Sequence, residues 1–142
     1  GFNTFNGDIS NWDVSNVVNM ENVFGQCQIF NQDLSSWDVS SVNNMDSMFV
    51  NCQSFNQNIN SWNVSNVTNM NSLFNGASSL NQDISMWNVS NVTRMENMFI
   101  GASSFNQDLS TWSVASVTNC LNFDLNTFSW TLPKPNFTNC TP

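Results

Sequence analysis

Residues 30–54 read FNQDLSSWDVSSVNNMDSMFVNCQS, and this 25-residue string recurs along most of the 142-residue chain. Five copies begin at Phe5, Phe30, Phe55, Leu80 and Phe105, and the fifth follows the pattern to Thr118. A fixed period of this length is typical of proteins in which each repeat packs on its two neighbours. The repeat therefore predicts a stack of copies rather than one globular core.

Four positions are identical in all five copies: one Asn, one Trp and two Val. The Asn column comprises Asn6, Asn31, Asn56, Asn81 and Asn106, and the Trp column comprises Trp12, Trp37, Trp62, Trp87 and Trp112. Trp37 and Val39 are two residues apart, which predicts one face of a short strand with Asp38 pointing the other way. We expect the Asn side chains to bond to backbone groups and to the equivalent Asn one copy away.

The apolar spacing changes after this strand. Val42, Met45, Met48, Phe49 and Cys52 are separated by three and four residues, which is the pattern of one face of a short helix. The predicted fold class is therefore an α/β repeat solenoid, a right-handed coil with one short parallel strand and one short helix per 25-residue repeat. Its strands are expected to stack in parallel about 4.8 Å apart.

The repeats define the domain organisation. Residues 1–118 form the predicted five-repeat solenoid, and residues 1–4 fit the tail of a preceding copy, which indicates that the natural chain continues upstream. Residues 119–142 leave the pattern and form a predicted C-terminal capping segment. Its aromatic side chains are suited to cover the open end of the solenoid: Phe123, Phe128, Trp130 and Phe137.

The composition limits the classes of partner. Only 8% of the residues are charged, and the two cations, Arg94 and Lys134, leave a net charge of −8. Binding to phosphates requires cations, so nucleic acid and anionic membrane surfaces are disfavoured. No apolar run reaches the roughly 18 residues of a membrane span, so membrane insertion is not expected. Histidine, the usual metal ligand and general base, is absent.

The four cysteines form two pairs of positions. Cys120 lies in the last copy and Cys140 in the capping segment, where a disulfide would attach the cap in an oxidising compartment; the alternative is two buried thiols. Cys27 and Cys52 share a column one repeat apart, within possible disulfide reach. That column also holds Ala77 and Ala102, which equally indicates a small buried slot, so both readings stay open. Zinc is not expected without histidine at ligand spacing.

Six Asn-x-Ser/Thr sequons predict glycosylation sites if the source is eukaryotic, and ordinary asparagines if it is bacterial. They are Asn63, Asn66, Asn88, Asn91, Asn136 and Asn139. The first four belong to the repeated string WNVSNVT, whereas Asn136 and Asn139 lie outside the repeat and are the better candidates. Asn63 and Asn88 are flanked by inward Trp and Val residues, so we expect them to face outward.

Two columns are partly acidic. Asp8, Asp33, Asp83 and Asp108 form one, interrupted by Asn58, and Asp13 and Asp38 begin the other. Stacked carboxylates repel, and Ca²⁺ would relieve that repulsion. Turn capping by Asp and Asn side chains explains the columns without a metal and tolerates Asn58, so we expect no metal or cofactor. No group of residues suggests a nucleophile or an acid–base pair, so no catalytic residue is assigned and enzyme activity is not expected.

Three strings resemble the BspA-like leucine-rich-repeat surface proteins: WDVSNV-x-NM, MF-x-GASSFNQD and FNQDLS-x-W. The resemblance covers residues 5–118 and implies a leucine-rich-repeat-like solenoid, an extracellular or cell-surface location, and a role in adhesion or surface display. It supplies no catalytic residues. Cys120 and Asp124 depart from the repeat, because they replace a Met column and a Phe column.

The leading functional hypothesis is a cell-surface interaction or adhesion module that presents an outward column to a protein or glycan. This predicted binding face comprises Asp13, Asp38, Asn63, Asn88 and Ser113. The alternative is a structural subunit of an extracellular filament, in which the partners are copies of the chain itself, stacked end to end. Ice binding by the Ser, Thr and Asn columns is disfavoured because the outward column is chemically uneven.

Overall fold

The structure, a computed structural model, describes residues 4–142 and shows the 25-residue copies stacked one on the next in chain order. Within those residues there is no helix, and strand pairing is limited to single parallel bridges between consecutive copies. The bridges join Asn19 to Asn44, Asn44 to Asn69, Asn69 to Arg94, and Arg94 to Asn119. Each copy is a succession of tight turns that hydrogen-bonds to its neighbours in the stack.

The predicted α/β solenoid with one strand and one helix per repeat is wrong, and the backbone of the expected helix shows why. Ser47 and Asn51 have φ angles of 58° and 56°, whereas an α-helix requires about −63°. The same two columns have positive φ in every copy, at Asn22, Gln26, Ser72, Gly76, Asn97, Gly101, Asn122 and Asn126. Left-handed residues four positions apart exclude a helix, so the apolar spacing of three and four arises from consecutive turns.

The amides of this segment alternate between two kinds of partner. Those of Met45, Ser47, Phe49 and Asn51 donate to carbonyls of the next copy, over 2.6–3.0 Å. Those of Met48, Val50 and Cys52 donate to the carbonyl three residues back, over 3.1–3.2 Å. These seven backbone donors are therefore satisfied without a helix, and four of them tie one copy to the next.

The predicted strand at Trp37 and Val39 is wrong in position, although the direction of its side chains is right. Trp37 and Val39 are buried and Asp38 is exposed. However, the Trp37 amide donates to the Leu34 carbonyl of its own copy at 3.1 Å, and the backbone bonds between copies begin further along, at Asn43. The in–out alternation therefore belongs to a short irregular segment between two turns.

The prediction for the Asn column is confirmed. Asn31 Oδ1 accepts the backbone N–H of Asn56 at 2.9 Å, and the equivalent bond recurs at every step from Asn6 to Thr131. Each of these side chains supplies an acceptor to a backbone donor in the next copy. The side-chain oxygen of this column thus accepts a backbone N–H from the neighbouring copy, as backbone carbonyls do elsewhere in the stack.

Apolar side chains fill the inside of the stack in columns of like residues. The rings of Phe30 and Phe55 lie 6.1 Å apart, and those of Trp62, Trp87 and Trp112 follow at 6.4 Å with planes within 5°. Stacking in this range adds to the free energy of burial. Trp62 also donates its indole N–H to the Leu34 carbonyl of the preceding copy at 3.0 Å.

We predict that Trp62→Phe lowers the free energy of unfolding by about 2 kcal/mol, because the Leu34 carbonyl loses a donor and the smaller ring leaves a void. Trp12 provides a matched control, since it is 61% exposed and its indole has no acceptor among residues 4–142. Trp12→Phe should cost less than about 0.5 kcal/mol. Urea denaturation measures both values, and equal losses would refute the importance of the indole contact.

Candidate functional site

One outward column places an exposed polar side chain on each of the five copies. This column, called the polar row, comprises Asp13, Asp38, Asn63, Asn88 and Ser113, all of them exposed. Buried residues flank the last four members on both sides; Trp62 and Val64, on either side of Asn63, are 4% and 1% exposed. Asp13 lies between the exposed Trp12 and the buried Val14. Packing of these neighbours therefore directs the polar row toward solvent. The structure brings the whole predicted binding face together on one side of the stack.

The serine two residues later fixes the orientation of the first four members of the polar row. Asp13 Oδ1 accepts the amide and hydroxyl of Ser15 at 3.0 and 2.6 Å. Asn63 Oδ1 accepts the same groups of Ser65 at 3.2 and 2.7 Å. Asn88 accepts both groups of Ser90, and Asp38 accepts the amide of Ser40 at 3.0 Å. Because Oδ1 is used locally, the second carboxylate oxygen or the amide nitrogen remains for a partner.

These serine bonds also favour the ionised form of the two aspartates in the polar row. The hydroxyl of Ser15, followed by its amide, lowers the pKa of the Asp13 carboxyl. Ser40 lowers the pKa of Asp38 in the same way, and this outweighs the opposing effect of Asp13 one copy away. At neutral pH the polar row is anionic at Asp13 and Asp38 and uncharged at Asn63, Asn88 and Ser113, and the lowered pKa values keep the two carboxylates ionised at more acidic pH.

Polar side chains beside the polar row are occupied by bonds between copies. The Ser41 hydroxyl donates to the Ser15 carbonyl at 2.7 Å, and the Asn66 amide donates to the Ser40 carbonyl at 2.8 Å. Asn91 repeats the second bond one copy later. The neighbouring column thus contributes to cohesion of the stack, while the polar row keeps unpaired groups.

The second acidic column caps turns. In Asp8, Asp33, Asn58, Asp83 and Asp108, Oδ1 accepts the amide of the residue two positions later at 2.9–3.0 Å. The amide of Ser35, followed by its hydroxyl, lowers the pKa of Asp33. Asn58 makes the same bond as the aspartates, so the turn-capping prediction is confirmed. Across residues 4–142, no three Asp, Glu or Cys side chains are grouped so that they could hold a metal ion.

The structure divides the six sequons into two groups. Asn66, Asn91 and Asn139 donate their side-chain nitrogens to backbone carbonyls over 2.6–2.8 Å. Asn63, Asn88 and Asn136 are exposed, and their nitrogens have no acceptor among the described residues. A glycan is attached through this nitrogen, so only the second group presents it to solvent in the folded chain.

Cys120 and Cys140 form a disulfide with Cα atoms 5.9 Å apart, which is the pairing that the sequence suggested. Cys27 and Cys52 are free and buried. The Cys52 thiol lies 3.0 Å from the Phe24 carbonyl, and burial, with a smaller effect of Cys27, raises the pKa of Cys52 to about 12. Of the two alternatives for the column of Cys27 and Cys52, the structure shows the small buried slot and not the disulfide.

The backbone repeat continues beyond Thr118, where the sequence repeat ends. Trp130 lies 25 residues after Phe105 and is buried in the same column. Phe137 lies 25 residues after Trp112 and packs on Phe123, with ring centroids 4.9 Å apart. The capping segment is thus a partial sixth copy with altered side chains. Sequence reasoning missed this, although the 25-residue spacing of the aromatic residues was a signal.

The N-terminal end of the stack carries an apolar cavity that sequence reasoning also missed. Its volume is about 200 Å³, and its lining comprises Phe5, Trp12, Val23, Phe24 and Cys27. The four later residues of the Trp column are only 3–5% exposed, because each is covered by a preceding copy. The sequence carried a signal for this cavity: Trp12 is the first Trp of its column in residues 1–142, so no earlier Trp of that column covers it.

From Thr4 to Pro142, the chain forms no helix of the length and apolarity that would cross a membrane.

The stacked copies and the polar row define a repeat protein whose polar face is built from one position per repeat. A family described as "Mycoplasma protein of unknown function, DUF285" matches this chain twice, over residues 1–67 and 51–133. The two matches together span residues 1–133, so the chain belongs to this family. The comparison with curated proteins gave no match, and the comparison with solved structures gave none either.

We predict that Ser15→Ala raises the pKa of Asp13 toward that of an ordinary exposed aspartate, because the Ser15 hydroxyl is the main cause of the lowering. An NMR titration of the side-chain carboxyl carbons measures this pKa. Asp8, which bonds to Ser10, is an internal control and should not change.

The sign of the pH dependence follows from the lowered pKa. The Ser15 bond stabilises the fold above the unfolded-state pKa of Asp13, and this contribution disappears as the pH falls through the native pKa. Ser15→Ala should therefore lose less stability on acidification than the wild type. An unaltered Asp13 titration would mean that Ser15 does not hold this carboxylate in solution.

Proposed function

We propose that this chain is a non-enzymatic interaction or adhesion module, outside the cell or at its surface, that presents the polar row to a protein or glycan partner. The observation that carries the proposal is the state of the polar row. All five members are exposed, and in the first four Oδ1 is hydrogen-bonded to the serine two residues later while the second polar atom of the side chain has no partner among residues 4–142. Groups that are already ordered lose little conformational freedom on binding, which favours affinity.

The chemistry of the polar row favours a partner that is itself linear and polar. The exposed groups change from carboxylate oxygens at Asp13 and Asp38 to amides and a hydroxyl at Asn63, Asn88 and Ser113. One such group per copy suits an extended polypeptide or sugar chain lying along the stack, which is a common mode for repeat proteins. With a net charge of −8 and two cations, binding would rest on hydrogen bonds rather than on attraction to anions.

Two observations support the location. The strings FNQDLS-x-W and WDVSNV-x-NM resemble BspA-like surface proteins. The chain also contains the Cys120–Cys140 disulfide, and disulfides form and persist mainly in oxidising environments such as the cell exterior.

We predict that the double variant Asn63→Lys/Asn88→Lys weakens partner binding by about tenfold or more, since each lysine replaces an amide at the centre of the polar row. The partner is first identified by probing arrays of extracellular-matrix proteins and of glycans with the labelled chain. Biolayer interferometry then compares the affinities of the variants for that partner.

Gln53→Lys/Ser79→Lys is the matched control, because it adds the same two charges at exposed positions outside the polar row. It should bind like the wild type. Loss of binding in the control with retention in the Asn63→Lys/Asn88→Lys variant would place the binding site on another face. The absence of any partner on both arrays would contradict the interaction proposal itself.

A further inference from the structure

The stack is wider on the side of the Trp column than on the side where the backbone bonds between copies lie. Trp62, Trp87 and Trp112 are equivalent residues with parallel rings, so the 6.4 Å between successive ring centroids is the step from one copy to the next on their side. The step between Phe49 and Phe74, in the segment of consecutive turns, is 5.8 Å. The polar row shares its segment with the Trp column and therefore lies on the wide side of the stack.

Side chains rather than backbone groups join the copies on this wide side. The Trp87 indole donates to the Ile59 carbonyl of the preceding copy at 3.1 Å. The backbone amides of Asn63 and Asn88, by contrast, donate to no backbone carbonyl among residues 4–142. A ladder of backbone bonds holds neighbouring segments about 4.8 Å apart, and its absence here allows the longer step.

The step on the wide side equals the side-chain period of an extended polypeptide. An extended chain advances about 3.2–3.4 Å per residue, so side chains on one face recur every 6.4–6.8 Å or so. An extended segment lying along the stack would therefore place one side chain opposite each member of the polar row and keep this register over five copies. At the 5.8 Å step found across the core, the register would drift by roughly 0.6–1.0 Å per copy.

The chemistry of the polar row defines which side chains such a segment would carry. The carboxylates of Asp13 and Asp38 are exposed and form no salt bridge among residues 4–142, which favours lysine or arginine at the two facing positions. The side-chain nitrogens of Asn63 and Asn88 have no acceptor among the same residues, so they can donate to carbonyls of an extended backbone. The net charge of −8 also attracts a basic segment.

Met86 adds an apolar group beside the polar row. It is 84% exposed and lies two residues before Asn88, with the buried Trp87 between them. At the equivalent position, the hydroxyls of Ser36 and Thr111 donate to carbonyls of the preceding copy at 2.7 and 3.4 Å. Met86 cannot make this bond, and copies on both sides of it show that its exposure does not arise from an end of the stack. A flexible apolar side chain in this place is suited to contact an apolar side chain of a partner.

We propose that the partner of the polar row is an extended polypeptide segment of roughly nine residues that lies along the stack, with every second side chain facing one copy. The segment carries basic side chains opposite Asp13 and Asp38 and an apolar side chain opposite Met86. This inference rests on the proposed interaction function and narrows its partner from a protein or glycan to a basic, extended peptide.

A display library of random twelve-residue peptides, selected on the immobilised full-length chain, tests the period directly. The selected peptides should share two basic residues two positions apart, with an apolar residue four positions from the nearer one, because two copies separate Asp38 from Met86. Basic residues three or four positions apart would indicate a helical partner and overturn the extended one. Binding to a glycan array without any enriched peptide would overturn the peptide assignment and leave the interaction function standing, whereas no binding in either experiment would contradict that function.

The variant Asp13→Asn/Asp38→Asn removes both charges of the polar row and retains its turns, because Asn63 and Asn88 make the same bonds to serine in this column. It should bind a selected peptide about fivefold more weakly than the wild type, since two exposed ion pairs are lost. The remaining affinity should depend less on salt. Isothermal titration calorimetry at two ionic strengths measures both effects.

Asp8→Asn/Asp33→Asn is the matched control, because it removes two charges from the same two copies in the turn-capping column, where Asn58 makes the same bond as the aspartates. Its affinity should stay within about twofold of the wild type. Equal weakening in the control and in the polar-row variant would show that the peptide responds to net charge alone, and would overturn the assigned register.

Met86→Ser tests the apolar contact, because it restores the residue that Ser36 and Ser61 have at this position. It should weaken binding of the selected peptide by about threefold, and replacing the apolar residue of the peptide by serine should then cause little further loss. Fully additive losses in this double-mutant cycle would mean that the apolar residue does not lie opposite Met86, and would contradict the proposal.

Discussion

Backbone hydrogen bonds between one copy and the next are the interaction on which the rest of this structure depends. They exist because Asn22 and Gln26, and their equivalents in every copy, adopt positive φ, so that alternate amides point along the stack while the others close turns. Once these bonds set the register, each residue lies on its own equivalent 25 positions away, and the Phe, Trp and Asn columns follow. The same constraint disfavours charge, since a charged residue repeated at one position of successive copies would face like charges.

The polar row and the contacts between copies use the same residue types, Asn and Ser, at different positions. The Asn66 side-chain nitrogen donates to a carbonyl of the preceding copy, whereas the side-chain nitrogen of Asn63, three residues earlier, has no acceptor among residues 4–142. The difference arises from position: Asn63 lies between inward Trp62 and Val64, while Asn66 lies beside the Ser40 carbonyl of the preceding copy. A surface rich in Asn and Ser therefore divides into side chains that bind the protein to itself and side chains that remain for a partner.

Parts of this architecture could be predicted from the sequence and parts could not. The 25-residue period predicted stacking and the Asn column, because any stack at that period places Asn6 against Asn31. Helix was predicted over Val42–Cys52 because turns and helices share apolar spacings of three and four, and spacing carries no information about the sign of φ. The available signal was the recurrence of Asn51, Gly76 and Gly101 in one column, since Asn and Gly tolerate left-handed conformations. The sixth partial copy was missed because Lys134, Pro133 and Pro135 hide the register that Trp130 and Phe137 retain.

Stacking in chain order also determines how the molecule would respond to tension. Residues near Thr4 lie at one end of the stack and those near Pro142 at the other, so a force applied between them acts along the bonds that join the copies. Each copy touches only its neighbours, and the interfaces would open one after another rather than together. Every opened copy releases 25 residues, or roughly 80 Å of extended chain. The protein would therefore behave as a tether that lengthens in steps, and the Cys120–Cys140 disulfide would keep its last turn of chain from extending.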